Sequence, residues 1–197
     1  MADTPNELHE HHSRLLEGMA LAVSANGYGN TTIADIVGEA GVSRRTFYEH
    51  FSTKAECLTA LYEAASHNAL KVLKGAIDPA HEWQAQVEQA LSAYLGCMAQ
   101  NPVLMRTLFI EILGLGPDGL AARRRVNQQI ADFMLGVING GRADRPRDTP
   151  LSPAMAMAVV GGINELILQA IEQDRISSLP DLVGPASQLV RAATQVD

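Results

Sequence analysis

Apolar residues recur at helical spacing through most of this chain, and Gly, Pro and Asn interrupt the recurrence at intervals. A first helix is predicted from about His9 to Ala25. Leu15, Leu16, Met19, Ala22 and Val23 form its apolar stripe, and Gly27 follows at a natural C-terminal position. Ile33 to Ala40 reads as a short helix capped by Thr32, with Asp35 three residues on and Gly41 as its stop. Ser43 caps another short helix, Arg44 to His50. Ser52 or Thr53 then starts a long helix reaching about Lys74, with Leu58, Leu61, Tyr62, Ala65, Ala69 and Val72 at helical spacing.

Past Ile77-Asp78-Pro79 the pattern predicts a larger helical region: His81 to Gln100, Pro102 to Leu113 and Leu120 to Ile138. A Pro-, Arg- and Asp-rich loop at 139–150 leads to a helix from about Pro153 to Asp174. A last helix lies between Pro180 and Val196, with its start left open by Pro185. The fold class is therefore all-α. Residues 1–52 form a small N-terminal domain, and 53–197 form a larger helical one.

Composition agrees with that pattern. The 28 alanines and 22 leucines favour helix, while β-branched and aromatic runs are scarce. With 47% hydrophobic and 19% charged residues, the chain can bury a core. No stretch approaches the ~18–20 unbroken apolar residues of a membrane span, so no membrane partner is expected. Met1 to His12 is acidic and polar, unlike a secretory leader. Cys57 and Cys97 make neither a disulfide framework nor a metal spacing, and read as reduced, buried thiols of a cytoplasmic protein.

Residues 31–51 carry the most specific chemistry. Two short helices flank Gly41-Val42-Ser43, a turn tight enough to set them at a steep angle, with Ala34, Ile36, Val37, Ala40, Val42 and Phe47 between them. This is a helix-turn-helix, whose second helix suits a DNA major groove. Ser43, Arg44, Arg45 and Thr46 stand at that helix's N-terminus, where base edges are met, and Arg can donate two hydrogen bonds to a guanine edge. Tyr48 and His50 are placed to reach phosphate oxygens. Lys54, in the next helix's first turn, is expected as a phosphate clamp. Thr32 completes the candidate DNA-binding set.

Charge opposes this reading at first sight. The whole chain carries −7, and residues 1–57 hold four cations (Arg14, Arg44, Arg45, Lys54) against eight acids. A DNA-binding role must rest on where those four cations sit.

Gly27-Tyr28, Thr31-Thr32-Ile33-Ala34-Asp35-Ile36, Ala40-Gly41-Val42-Ser43, Thr46-Phe47-Tyr48, His50-Phe51 and Lys54, in unbroken order, resemble the DNA-binding domain of TetR-family transcriptional regulators. The resemblance runs from about Leu15 to Leu61. It implies an all-helical homodimer in which the first three helices bind DNA, the fourth connects, and the rest hold an effector and the dimer interface. Relatives often carry a basic stretch before the first helix. Here Glu7, Glu10 and three histidines stand there, so non-specific DNA affinity is expected to be low and salt-sensitive. His9, His11 and His12 read as a solvated end rather than a metal site.

In the second region, the helix around Met155, Met157, Val159, Val160, Ile163, Leu166, Ile167, Leu168 and Ile171 is apolar over more than one stripe. With the last helix (Leu182, Leu189, Val190), it resembles the family's dimer bundle, so self-association is expected through 153–174 and 180–196. Trp83, Tyr94, Met98, Met105, Phe109 and Phe133 offer walls for an effector pocket, with Glu111, Asn127 and Asn164 as polar candidates. Arg106 falls off the face of Glu111, and the glycine-rich stretch Gly114 to Gly119 reads as a loop.

No G-x-S-x-G, P-loop, H-E-x-x-H or dinucleotide fingerprint is present, so no catalytic residue, metal or cofactor is implied. The leading expectation is a ligand-responsive repressor that binds a palindromic operator in double-stranded DNA as a dimer and is released by a small, largely apolar effector. Half-site centres would lie about 34–36 Å apart or at multiples of that. Effector binding would pivot the fourth helix. A coupling of ~1–3 kcal/mol would change DNA affinity about 5–150-fold. Two rivals stand beside it: a small-molecule binding protein or enzyme with a vestigial helix-turn-helix, and an effector-independent regulator.

Overall fold

The computed structural model describes residues 5–140 and 150–194, and among them there is no strand. The α-helices are α1 (Pro5–Asn30), α2 (Ile33–Ala40), α3 (Arg44–His50), α4 (Lys54–Gly75), α5 (Trp83–Ala99), α6 (Pro102–Phe109), α7 (Pro117–Asn139), α8 (Pro153–Glu172) and α9 (Val183–Thr194). Short 3-10 helices lie at Glu111–Leu115 and Ile176–Leu182.

Local chemistry accounts for most of these boundaries. α1 is broken at Gly27, whose φ of 71° departs from the helical region. Thr32 and Asp35 form a full capping box on α2: the Asp35 N–H donates to Thr32 Oγ1 at 3.3 Å, and the Thr32 N–H donates to Asp35 Oδ2 at 2.8 Å. The Thr32 hydroxyl, donating to Asp35 Oδ2 at 2.7 Å, and then the Thr32 N–H hold the Asp35 carboxyl below its ordinary value. Gly41 ends α2 with φ 61°, a conformation other residues adopt only at a cost. Thr53 rather than Ser52 caps α4, its hydroxyl accepting the Glu56 N–H at 3.1 Å. Ser152 caps α8, with Pro153 opening the first turn.

The helix expected over Pro102 to Leu113 divides. The α-helix stops at Phe109, and a tighter 3-10 turn follows. The glycine-rich stretch expected as a loop is instead the end of that turn and the start of α7. The loop expected at 139–150 lies mostly outside the described residues. At its margins the Asn139 amide ties α7 to Leu151, donating to the Leu151 carbonyl at 2.9 Å and accepting its N–H at 2.8 Å.

The packing separates into two units. The first comprises the described residues up to Ala65 together with Val103–Ala122. There α1 packs against α2, α3 and the 3-10 helix at Glu111–Leu115. Leu15, Met19, Ile36, Phe47, Leu58 and Ile112 are fully buried. α1 and α2 meet at Gly18, where a Cβ would stand 2.6 Å from the Ile36 carbonyl oxygen and 2.8 Å from the Ala40 nitrogen. Only glycine admits that approach without moving backbone.

The second unit comprises Ser66–Pro102 and the described residues from Arg123 onward. α5 and α8 both pack against α9 and the 3-10 helix at Ile176–Leu182. Leu95, Ile167, Ile171 and Leu179 are fully buried there. Among the described helices α8 alone has the length and apolarity to cross a bilayer. It buries Val159, Val160, Ile163, Ile167 and Ile171 inside this unit, and Asn164, Glu165 and Gln169 interrupt its apolar run.

Candidate nucleic-acid interface and effector cavity

The helix-turn-helix anticipated between residues 32 and 51 is present as α2, a left-handed Gly41 and α3. Phe47, wholly buried, anchors α3 and meets Phe51 at 5.8 Å between ring centroids. The opposite side of α3 is open: Ser43, Arg44, Arg45 and Tyr48 are exposed, Tyr48 by 60%. Ser43 Oγ accepts the Thr46 N–H at 3.0 Å and lies 2.9 Å from Thr46 Oγ1, so both hydroxyls are engaged in starting the helix.

The four cations have different surroundings. Arg44 is exposed and has no ion pair or hydrogen bond among the described residues. Arg45 donates from Nε to Glu49 at 3.0 Å, but its side chain is 89% exposed, and such solvent-screened pairs are worth only about 0.2–1 kcal/mol. It can leave Glu49 for a base edge at small cost. Arg14 donates from Nε to the Ala40 carbonyl at 2.9 Å and from a terminal nitrogen to the Gly41 carbonyl at 2.8 Å. It thus satisfies carbonyls at the end of α2, beside the turn. Sequence reading counted Arg14 as charge and missed this role. An Arg one helix upstream of a glycine C-cap was the available signal.

Lys54 departs most from its expected role. Its ammonium donates to the carbonyls of Tyr28 at 2.7 Å, Thr31 at 2.6 Å and Gly29 at 3.4 Å, and sits 4.4 Å from the Tyr28 ring centroid. An ammonium has three N–H donors, and these carbonyls can occupy all of them. In this geometry Lys54 caps the end of α1 rather than standing free for a phosphate.

His50 also turns inward. Its ring lies 6.5 Å from His11 and 5.8 Å from His12, both half-buried on α1, and packs beside Phe51. His11 and His12 are therefore part of the α1–α3 contact and not a solvated end. Burial, then the nearby His50 and His9, push the His12 imidazole below its ordinary 6.5. Cys57 is buried as expected, with its thiol pushed up to about 12 by burial and then by Glu56, whereas Cys97 is only half-buried.

Of the nine expected effector-site residues, the structure brings four together. Trp83, Tyr94, Phe133 and Asn164 line one cavity of about 80 Å³ in the second unit, along with Leu73, Leu91, Met134, Val160 and Ile163. Met98 is buried elsewhere on α5, and Asn127 stands behind the wall, accepting the Asn164 side-chain N–H at 3.0 Å. Met105, Phe109 and Glu111 belong to the first unit. There Glu111 accepts the Tyr28 N–H at 2.9 Å. The 3-10 turn also brings Glu111 and Arg106 to one polar cleft with Ser24, Gly27 and Thr107, although uninterrupted α-helical spacing separates them.

Comparison with known proteins gives the same picture. Residues 20–61 match the family described as bacterial regulatory proteins, tetR family. The HTH-type transcriptional regulator TtgR of Pseudomonas putida is 32% identical over 126 residues, 64% of this chain. The alignment covers 51% of TtgR, so this chain matches about half of that relative. Among solved structures, Bacillus subtilis FadR in complex with stearoyl-CoA superposes with TM-score 0.79 at 15% identity, over 93% of this chain and 99% of FadR. FadR of Bacillus halodurans gives 0.74 at 16%, over 94% and 99%. The N-terminal residues are thus similar to the tetR family of bacterial regulatory proteins, and the fold is similar to that of the FadR structures.

Proposed function

We propose that this protein is a cytoplasmic, ligand-responsive transcriptional regulator that binds a palindromic operator as a homodimer and is released by a small, largely apolar effector. The observation that carries the reading is α3. It is a recognition helix anchored by buried Phe47, capped by Ser43, and open along the side bearing Ser43, Arg44, Arg45 and Tyr48. Arg44 and Arg45 are the residues for base edges, while Arg14 and Lys54 hold the helices that present them. Self-association is supported by α8, which leaves Met155 48% exposed and also exposes Ala158 and Gly161. The apolar cavity of the second unit is the effector site in this reading. A structural neighbour holding stearoyl-CoA supports a ligand with a large apolar part.

Fluorescence anisotropy on duplexes tiled across the gene's own upstream region, at several salt concentrations, tests the proposal. One palindromic tile should bind tightly and scrambled DNA should not. Arg44→Ala and Arg45→Ala should each cost ~1–3 kcal/mol on that tile and little on random DNA. Equal losses on both DNAs would refute the assignment of base contacts. Failure to recover any preferred site from a random-sequence selection would refute the regulator.

A further inference from the structure

We propose that the cavity of the second unit takes an uncharged, predominantly apolar molecule carrying one hydrogen-bonding group, and that Asn164 is the residue that reads that group. The inference rests on the reading of this unit as the effector site and specifies the class of effector.

Three observations lead to it. Among the described residues no Asp, Glu, Lys, Arg or His lines the cavity, and the exposed Lys74 ammonium, 5.6 Å from the Phe133 ring centroid, is not part of that lining. A charged group placed inside would lose its hydration with no counter-charge to offset the loss, so a cation or anion is disfavoured there. The wall is aliphatic and aromatic, with Trp83 and Phe133 among its larger faces, and Met134 as a flexible member able to give way to a body larger than the resting volume.

The third observation is Asn164 itself. It is only 7% exposed, sits on a helix otherwise buried through Val160, Ile163 and Ile167, and lines the cavity. A primary amide offers two N–H donors and a carbonyl oxygen. One N–H is taken by Asn127, which fixes the amide's orientation from behind the wall. The pair leaves the second N–H and the carbonyl, and the carbonyl is a placed acceptor for a ligand N–H or O–H, in surroundings where an unmet polar group is costly.

Three molecules of one skeleton separate the alternatives. N-phenyl-1-naphthylamine is uncharged, has a single N–H, and brightens in apolar surroundings. 1-Anilinonaphthalene-8-sulfonate adds an anion, and 1-benzylnaphthalene replaces the N–H by CH₂. The amine is titrated into the full chain without DNA, and the other two are used as competitors. The amine should bind, the sulfonate should compete more than roughly 10-fold more weakly, and the hydrocarbon roughly 3–10-fold more weakly. Asn164→Leu, checked for helix content by circular dichroism, should erase the preference for the amine over the hydrocarbon. The series on the unaltered chain decides the charge question even if that variant fails to fold.

Equal competition by the sulfonate, an N–H preference surviving in Asn164→Leu, or no binding of the amine at all would each overturn the proposal. Because the titration contains no DNA, these outcomes are separate from loss of the regulator reading, which is judged on operator binding alone.

Discussion

In the unit carrying α1–α3, polar side chains reach across sequence to backbone carbonyls. Arg14 takes those of Ala40 and Gly41, Lys54 those of Tyr28 and Thr31, and the buried Thr31 hydroxyl takes those of Ala22 and Gly27. In the unit carrying α5, α8 and α9, the large fully buried side chains are aliphatic, with Ser187 a small polar exception, and the Asn164–Asn127 pair is a polar tie in the wall of a cavity. Hydrogen bonds have direction, so they fix the angle at which α3 is offered to a partner. Apolar contacts lack that direction and tolerate repacking. In the proposed function, the surface that meets a rigid duplex sits on the first kind of unit, and the cavity that admits a ligand sits in the second.

The largest test of this contrast is Phe47→Ala. It should cost about 3–5 kcal/mol in urea unfolding and abolish operator binding, because Phe47 is wholly buried under α3. A near-neutral result would mean the first unit repacks as freely as the second.

Lys54→Ala comes next. It should lower stability by about 1.5–3 kcal/mol, the range for hydrogen bonds to a charged group, without changing the salt slope of DNA binding. A slope smaller by about 0.9, with stability unchanged, would restore the phosphate clamp that sequence alone suggests.

In the second unit, Ile163→Val in the cavity wall should cost only about 0.5–1.5 kcal/mol and leave amine binding largely intact. A loss comparable to that of Phe47→Ala would erase the contrast.

The smallest effect expected is one of pH. His12 is held below 6.5 in the folded state, so the unfolded chain binds the extra proton more readily. Its contribution to stability is full above 6.5 and is lost as pH falls through the lower folded value. Thermal unfolding at pH 7.5 and 5.5 should show a drop that shrinks in His12→Gln, and an unchanged drop would place the titration elsewhere.

Much of the first unit was legible because its signals are local. Thr32 and Asp35, Gly41, and Ser43 with Thr46 act within four residues of one another, so spacing alone fixed both short helices and the turn between them. The exposed arginines on α3 follow from the same register. Periodicity likewise gave the apolar stripes of α1, α4 and α8, since those depend only on 3.6-residue geometry.

Tertiary structure decided what each polar side chain faces. Lys54 and Tyr28, Arg14 and Ala40, and Glu111 and Tyr28 lie 26, 26 and 83 residues apart, and no local pattern links them. The same holds for the grouping of residues 103–122 with the N-terminal unit, which takes Met105, Phe109 and Glu111 away from the cavity they were expected to line. An apolar stripe records that a helix is buried, but it carries no information about which neighbour buries it. That choice is made by packing of the whole chain, where the 3-10 turn after Phe109 redirects Glu111 and the Asn127–Asn164 pair orients one amide at a cavity wall.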